Sequence, residues 1–237
     1  MSKIPPQPFI SIVIAALNEE ASIAKVINEV PRDIADEIIV VDNASSDRTA
    51  EVAAAAGARV VRESRRGYGR AFMAGVESVS PASEIIVFLD GDGSDCPAMM
   101  DRLVKPIIDG QYDFVIGSRT RGQRESGSMN FHQVFAGYMI GLFLRVLYGA
   151  RSTDMGPFRA IRRSTLENLG MREETYGWPI EMQMRAARAR VRTLEVPVDY
   201  RRRAGGRSKI AGTVRGSILA ASRILATFAR IAIERQR

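Results

Sequence analysis

An α/β fold, with a Rossmann-like, mostly parallel central sheet flanked by helices, is predicted by three features of this 237-residue chain. Short, β-branched apolar runs alternate with amphipathic stretches through the first half. The runs are nearly continuous in apolar character, as strands buried on both faces are. Polar residues follow several of them directly, and an open sheet of this kind binds ligands beyond the C-terminal ends of its strands.

The elements follow in order. FISIVIAA (9 to 16) is the first strand, trailed by Asn18 and Glu19 and a helix over 19 to 30. DEIIVVD (36 to 42) ends in Asp42 and Asn43 and leads to a helix over 47 to 56. ARVVRE (58 to 63) precedes a helix over 68 to 79, and SEIIVFLD (83 to 90) runs into Asp90 and Asp92 before a helix over 97 to 109. YDFVIGS (112 to 118), followed by Arg119, closes a βαβαβαβαβ series.

The second half is less regular. FHQVFAGYMIGLFLRVLYGA (131 to 150) is apolar but interrupted by Arg145. Its unbroken part is too short for a membrane span of about 20 residues, which leaves a core helix or one lying in a bilayer interface. Short helices over 163 to 170 and 179 to 189 follow, then the strand-like RTLEVPVDY (192 to 200) and a terminal helix from about 210 to 235. On a helical wheel Val214, Ile218, Ile224, Leu225, Phe228 and Ile231 gather on one side, and Arg215, Arg223, Arg230 and Arg237 on the other. Such a basic amphipathic helix either packs onto the domain or lies on an anionic membrane surface.

Composition narrows the classes. Hydrophobic residues make up 46% of the chain, enough for a sizeable core. The single cysteine, Cys96, excludes a disulfide framework and a cysteine-based zinc site and points to a reducing compartment. MSKIPPQPFI lacks the charged and apolar regions of a signal peptide. Of the net charge of +7, residues 185 to 237 hold 14 Lys and Arg against 3 Asp and Glu. The excess is therefore confined to the tail, which suits an anionic partner. No aromatic-interleaved basic patch or nucleic-acid module accompanies it, which argues against nucleic acid.

The strongest chemical signal is VFLDGDGSDCP (87 to 97), where Asp90, Asp92 and Asp95 crowd a strand tip. Like charges so close repel unless a cation joins them. Oxygen ligands suit Mg²⁺ or Mn²⁺, which commonly keep phosphate oxygens in their coordination sphere. Gly91 between the first two aspartates predicts close approach of a ligand to the backbone. Asp95 is either an outer carboxylate behind the metal ligands or a helix N-cap. The only histidine, His132, lies in the apolar segment and is expected to pack rather than catalyse.

The ordered series AALNEE (15 to 20), VVDNASSDRT (40 to 49), FLDGDGSD (88 to 95), GSR (117 to 119), TDMGPFRA (153 to 160), YGWPIEM (176 to 182) and EVPVDYRRRAGGRSK (195 to 209) resembles the family 2 glycosyltransferases of GT-A fold. Within them it is most similar to the dolichyl-phosphate and polyprenyl-phosphate sugar transferases, and the resemblance covers residues 9 to 215.

The resemblance implies a metal-dependent, inverting transfer of a sugar from a UDP- or GDP-sugar to a lipid phosphate. By position, Ala15, Leu17 and Glu19 belong to the motif that holds base and ribose, although Ala15 and Leu17 replace the family's Pro and Tyr. Asp42 is the implied base-binding acid, with Asn43 in place of a second aspartate. Asp90 and Asp92 are implied to hold the ion, Asp92 directly and Asp90 at ribose or metal. Arg119, Arg203, Ser208 and Lys209 match phosphate-contacting positions. Glu181 is left three roles: base toward a hydroxyl acceptor, positioning the sugar, or pairing with an arginine.

These readings predict a catalytic domain over 1 to 209, with a nucleotide half over 9 to 118 and an acceptor half over 119 to 209, and a separate helix over 210 to 237. A family 2 enzyme with a hydroxyl acceptor and a non-catalytic nucleotide binder remain as alternatives. The expected place is the cytoplasmic face of the cell membrane, held peripherally.

Overall fold

A computed structural model describes residues 7–129, 131–205 and 214–234. One seven-stranded sheet carries it, in the order β3-β2-β1-β4-β6-β5-β7. The strands are β1 (Phe9–Ala16), β2 (Glu37–Asp42), β3 (Arg59–Arg62), β4 (Ser83–Asp90), β5 (Phe114–Ser118), β6 (Arg159–Arg162) and β7 (Thr193–Pro197). Helices α1 (Ile23–Glu29), α2 (Thr49–Ala55), α3 (Tyr68–Ser78) and α4 (Asp101–Ile108) alternate with the first five strands. Then come α5 (Phe131–Tyr148), α6 (Arg163–Leu169), α7 (Trp178–Arg188) and α8 (Val214–Ile233).

The sequence pattern misses β6. RAIR is four residues long and flanked by arginines, so it carries no apolar run to betray it. It pairs antiparallel with both β4 and β5, while the other pairings are parallel. Inserting one reversed strand leaves β4 and β5 pointing the same way, so the C-terminal ends of the parallel strands still share one edge.

Side chains alternate across the pleat and build a core on each face. Ile10, Ile12 and Ile14 pack beneath α1 and α4 through Ile23, Ile27, Leu103 and Ile107. On the other face Val13, Phe88 and Phe114 meet Phe72 of α3 and Trp178 and Met182 of α7. Trp178 stacks on Phe72 with centroids 4.6 Å apart, and Phe88 meets the indole edge-on at 4.9 Å. Offset and edge-to-face geometries of this kind add to the area term.

Because α7 turns Ile180 and Met184 outward onto Ile140 and Leu144 of α5 and Ile231 of α8, it is buried all round and a third layer forms beyond it. Here the wheel reading of the terminal helix needs correction. Ile231 is buried, as packing onto the domain requires, but Leu225 on the same side of the wheel is 63% exposed. Arg230, on the basic side of the wheel, reaches Glu173 and Glu181. The carboxylates of the α6–α7 region draw that arginine inward. The side chains of 214 to 221 lie outside the described residues, as does Arg237.

Candidate active site

Register brings the strand ends level. Across β1, Ala15 pairs with Asp90 and Ala16 with Asp42, so the residues that follow β1, β2 and β4 emerge along one edge. Ala15 and Leu17 are half-buried there. Asn18 takes a left-handed φ of 53°, which asparagine tolerates. Its Oδ1 accepts from Ser46 N at 2.7 Å, its N–H donates to Ser45 Oγ at 2.9 Å, and Glu19 N–H donates to Thr49 Oγ1 at 2.8 Å. The turn after β1 is thus stitched to the loop after β2. Asp42 is buried and accepts from Ser45 N at 3.2 Å.

Asn43 spends its carboxamide on structure. It donates to the carbonyls of Glu63 at 3.2 Å and Arg65 at 2.9 Å and accepts from Gly67 N at 2.8 Å. These bonds shape the loop over the edge of β3, and they explain why an amide, with donors as well as an acceptor, sits there instead of a second acid.

The acidic turn is packed as densely as its sequence suggests. Tyr68 OH donates to Asp90 Oδ1 at 2.9 Å. Burial, followed by the charges of Asp92 and Asp95, holds the Asp90 carboxyl well above the usual range. Asp95, 2% exposed, accepts from Asp90 N at 3.2 Å through Oδ2, while its Oδ1 is buried with no hydrogen-bond partner among the described residues. Burial and then Asp92 lift its carboxyl to about 7. The N-cap reading of Asp95 is corrected: the 3₁₀ turn Pro97–Met99 starts after Cys96 and has no side-chain cap.

At Gly91 a side chain would meet Ile23 Cδ1 at 3.1 Å and the Ala15 carbonyl at 3.2 Å, so the glycine lets the turn press against β1 and α1. Gly93 has φ +78°, the left-handed conformation that folds Asp92 back over the turn.

Asp92 Oδ1 accepts from Ser94 N at 2.9 Å and from Ser94 Oγ, and Oδ2 accepts from Arg203 Nη1 at 2.9 Å. Arg203 also forks onto Glu19. Arg119 sits at the tip of β5, where Asp154 grips it twice, Nε to Oδ2 and Nη2 to Oδ1, both at 2.7 Å. Its guanidinium lies 4.9 Å above the Tyr200 ring, and Ser94 Oγ is 3.1 Å from Tyr200 OH. Burial alone would raise the Asp154 carboxyl, but Arg119 and the backbone N–H groups hold it below the usual range.

Glu181 is wholly buried. Its Oε2 accepts from the backbone of Arg172 at 2.9 Å and Glu173 at 2.6 Å, and its Oε1 from Arg185 at 3.0 Å and Arg230 at 3.4 Å. Of the three roles open to it, this geometry is that of arginine pairing, and both oxygens are committed. Ser208 and Lys209 lie outside the described residues. The sequence motifs include Asp154 and Tyr200, and the pattern puts Tyr68 at the head of a helix, but none of the three gains a role there, because their partners come from elements distant in the chain.

The donor set fits a hard divalent cation. Its members are all carboxylates, and the orphaned, buried Oδ1 of Asp95 marks an electrostatic deficit beside Asp90 and Asp92. Among the described residues no three acidic, cysteine or histidine side chains converge to cage an ion unaided. An ion held by one or two carboxylates and completed by diphosphate oxygens matches that arrangement.

The sequence profile described as glycosyl transferase family 2 matches residues 11–170. The chain is similar to an uncharacterised glycosyltransferase of Mycobacterium tuberculosis, 37% identical over 213 residues that span 89% of this chain and 94% of the other. It is also similar to a dolichyl-phosphate hexose transferase of Haloferax volcanii, 34% identical over 200 residues covering 83% of this chain and 84% of that one. Among solved structures, glucosyl-3-phosphoglycerate synthase from Mycobacterium tuberculosis in complex with phosphoglyceric acid superposes with a TM-score of 0.75 at 25% identity, over 97% of this chain and 81% of that chain.

Proposed function

Because the chain belongs to glycosyl transferase family 2, we propose that it moves a hexosyl group from a UDP- or GDP-sugar to a polyprenyl-type lipid phosphate at an anionic membrane face, with Mg²⁺ or Mn²⁺ as cofactor. The observation that carries this reading is the meeting at one edge of Asp90 and Asp92 with Arg203, a donor-side acid pair and a phosphate-type cation 111 residues from Asp92 in the chain. A relative of comparable length named for dolichyl-phosphate hexose transfer supports the acceptor class.

In this reading Asp42 and Glu19 receive base and ribose beside Ala15 and Leu17, while Asp92 and Asp90 hold the ion. The bound ion would neutralise charge on the departing nucleoside diphosphate as a Lewis acid. Tyr68 fixes the rotamer of Asp90. Arg119, clamped by Asp154 and seated on Tyr200, presents a rigid guanidinium to a phosphate. Arg203 serves phosphate oxygen beside the ion, and Ser208 and Lys209 beyond it in the sequence serve the acceptor phosphate. A phosphate oxygen is already anionic near neutral pH, so attack needs orientation and no general base. That is consistent with Glu181 being locked in ion pairs, and a single in-line displacement inverts the sugar carbon.

The peripheral membrane part rests on α5. No described helix is long and apolar enough to cross a membrane. Yet Phe135, Tyr138, Leu142 and Val146, spaced three or four residues apart along α5, are 43% or more exposed, and α5 contains no acidic residue. A row of exposed apolar side chains like this supports a docking face on α5.

Incubating the protein with Mn²⁺, polyprenyl phosphate and UDP- or GDP-hexoses should give an organic-extractable sugar lipid. Product on phosphorylated hydroxy acids but on no lipid phosphate would favour the second reading, a hydroxyl acceptor, which the phosphoglyceric acid bound by the structural neighbour supports.

A further inference from the structure

Arg203 is an odd tenant for a cation site. It places Nη1 2.9 Å from Asp92 Oδ2 and Nη2 on Glu19 Oε1, and its Nε donates to the Gly205 carbonyl at 2.9 Å. The backbone repeats the connection, since Ala204 N–H donates to Asp92 O at 3.0 Å and Arg201 N–H to Ser94 O at 2.8 Å. The stretch from Tyr200 to Gly205 is therefore zipped along the acidic turn. Both oxygens of Asp92 are engaged, Oδ1 by Ser94 and Oδ2 by Arg203. Oδ1 already accepts twice from Ser94, so a divalent ion that uses Asp92 meets Oδ2 beside the guanidinium, and of the two partners only the guanidinium carries a competing charge.

We propose that Arg203 is the resident counter-ion of the cation site, and that arrival of the ion with its nucleoside diphosphate transfers the guanidinium from Asp92 and Glu19 to phosphate oxygen. The inference deepens the reading above and rests on the metal assignment made there. Its driving force is electrostatic. Without the ion, Glu19, Asp90, Asp92 and Asp95 repel one another, and Arg203 offsets part of that charge. A doubly charged ion at Asp92 replaces that compensation and repels the guanidinium, while the diphosphate offers it a bidentate anionic partner.

No bond forms or breaks in the exchange. Its consequence is an order of events. Arg203 leads into Gly206, Ser208 and Lys209, which resemble a phosphate-binding motif. The residue that heads the acceptor segment is thus released by donor binding, so the donor complex forms before the acceptor is held.

The test uses the metal alone. Mn²⁺ titrations of the full chain, followed by the paramagnetic resonance of free Mn²⁺ without nucleotide, compare wild type with Arg203→Gln, Arg203→Lys and Asp92→Asn. Arg203→Gln should bind Mn²⁺ about tenfold tighter or more, the loss of one charge-assisted competitor. Arg203→Lys keeps a point charge without the fork and should fall between, and Asp92→Asn should lose binding. Addition of nucleoside diphosphate should then favour wild type over Arg203→Gln. A merely structural arginine would weaken Mn²⁺ binding when removed, so the sign of the change decides. Equal or weaker binding by folded Arg203→Gln and Arg203→Lys, with Asp92→Asn still inactive toward Mn²⁺, would overturn the counter-ion role and leave the metal site standing. Absence of Mn²⁺ binding in wild type and in both arginine variants would overturn both.

Discussion

Asp154 and Arg119 form the most completely specified pair in the site, two parallel bonds of 2.7 Å between side chains that are 2% and 12% exposed. Since the folded protein holds the Asp154 carboxyl below its unfolded value, its contribution to stability is present above about pH 4 and is lost as the pH falls through the folded value. Asp154→Asn should lower the unfolding midpoint at pH 7 and show a shallower decline on acidification, readable by thermal melts from pH 7 to 3. Tyr68→Phe removes one hydrogen bond to a carboxylate, worth about 1.5–3 kcal/mol, and should raise the KM for the nucleotide sugar with a smaller change in kcat. Asp92→Ala should abolish turnover. The carboxylates of the rim were legible because residues crowded within one short loop announce themselves. Asp154, Tyr68 and Tyr200 were not, since each acquires meaning only from a partner brought in by folding.

Between elements, the Glu181 network decides how α7 and α8 are joined. Arg230 bridges from α8 to Glu173 and Glu181, Thr227 Oγ1 donates to Glu173 at 2.8 Å, and Arg188 reaches the carbonyls that end α8. Removing Arg230 as alanine leaves Glu181 with its remaining donors and should cost about 1–3 kcal/mol in urea unfolding. Glu181→Gln should likewise lower stability more than kcat. A wheel projection could not find this, because it knows the helix but not the carboxylates waiting opposite. The same limit hid β6, whose strand character comes from the two neighbours that flank it. The first five strands were legible because continuous apolar runs have one economical burial.

For the molecule as a whole, the exposed ridge on α5 is the feature its folding leaves unexplained. Leu142→Asp combined with Val146→Asp changes exposed positions, so the thermal midpoint should stay within a few degrees. Sedimentation with anionic vesicles should fall several-fold; retention at the wild-type level would remove α5 from the membrane reading. Deleting residues 213 to 237 would be a poorer test, because it also strips Ile231 and Arg230 from α7.

The unbroken sheet has a consequence of its own. β1 and β4 from the donor side adjoin β6, β5 and β7 from the other, with hydrogen bonds across every boundary. A plate so laced has no waist at which to bend, and opening one would tear a ladder of bonds. The protein is therefore built as an anvil and not as a pair of jaws: any rearrangement falls to the loops at its edge, while the plate beneath stays still.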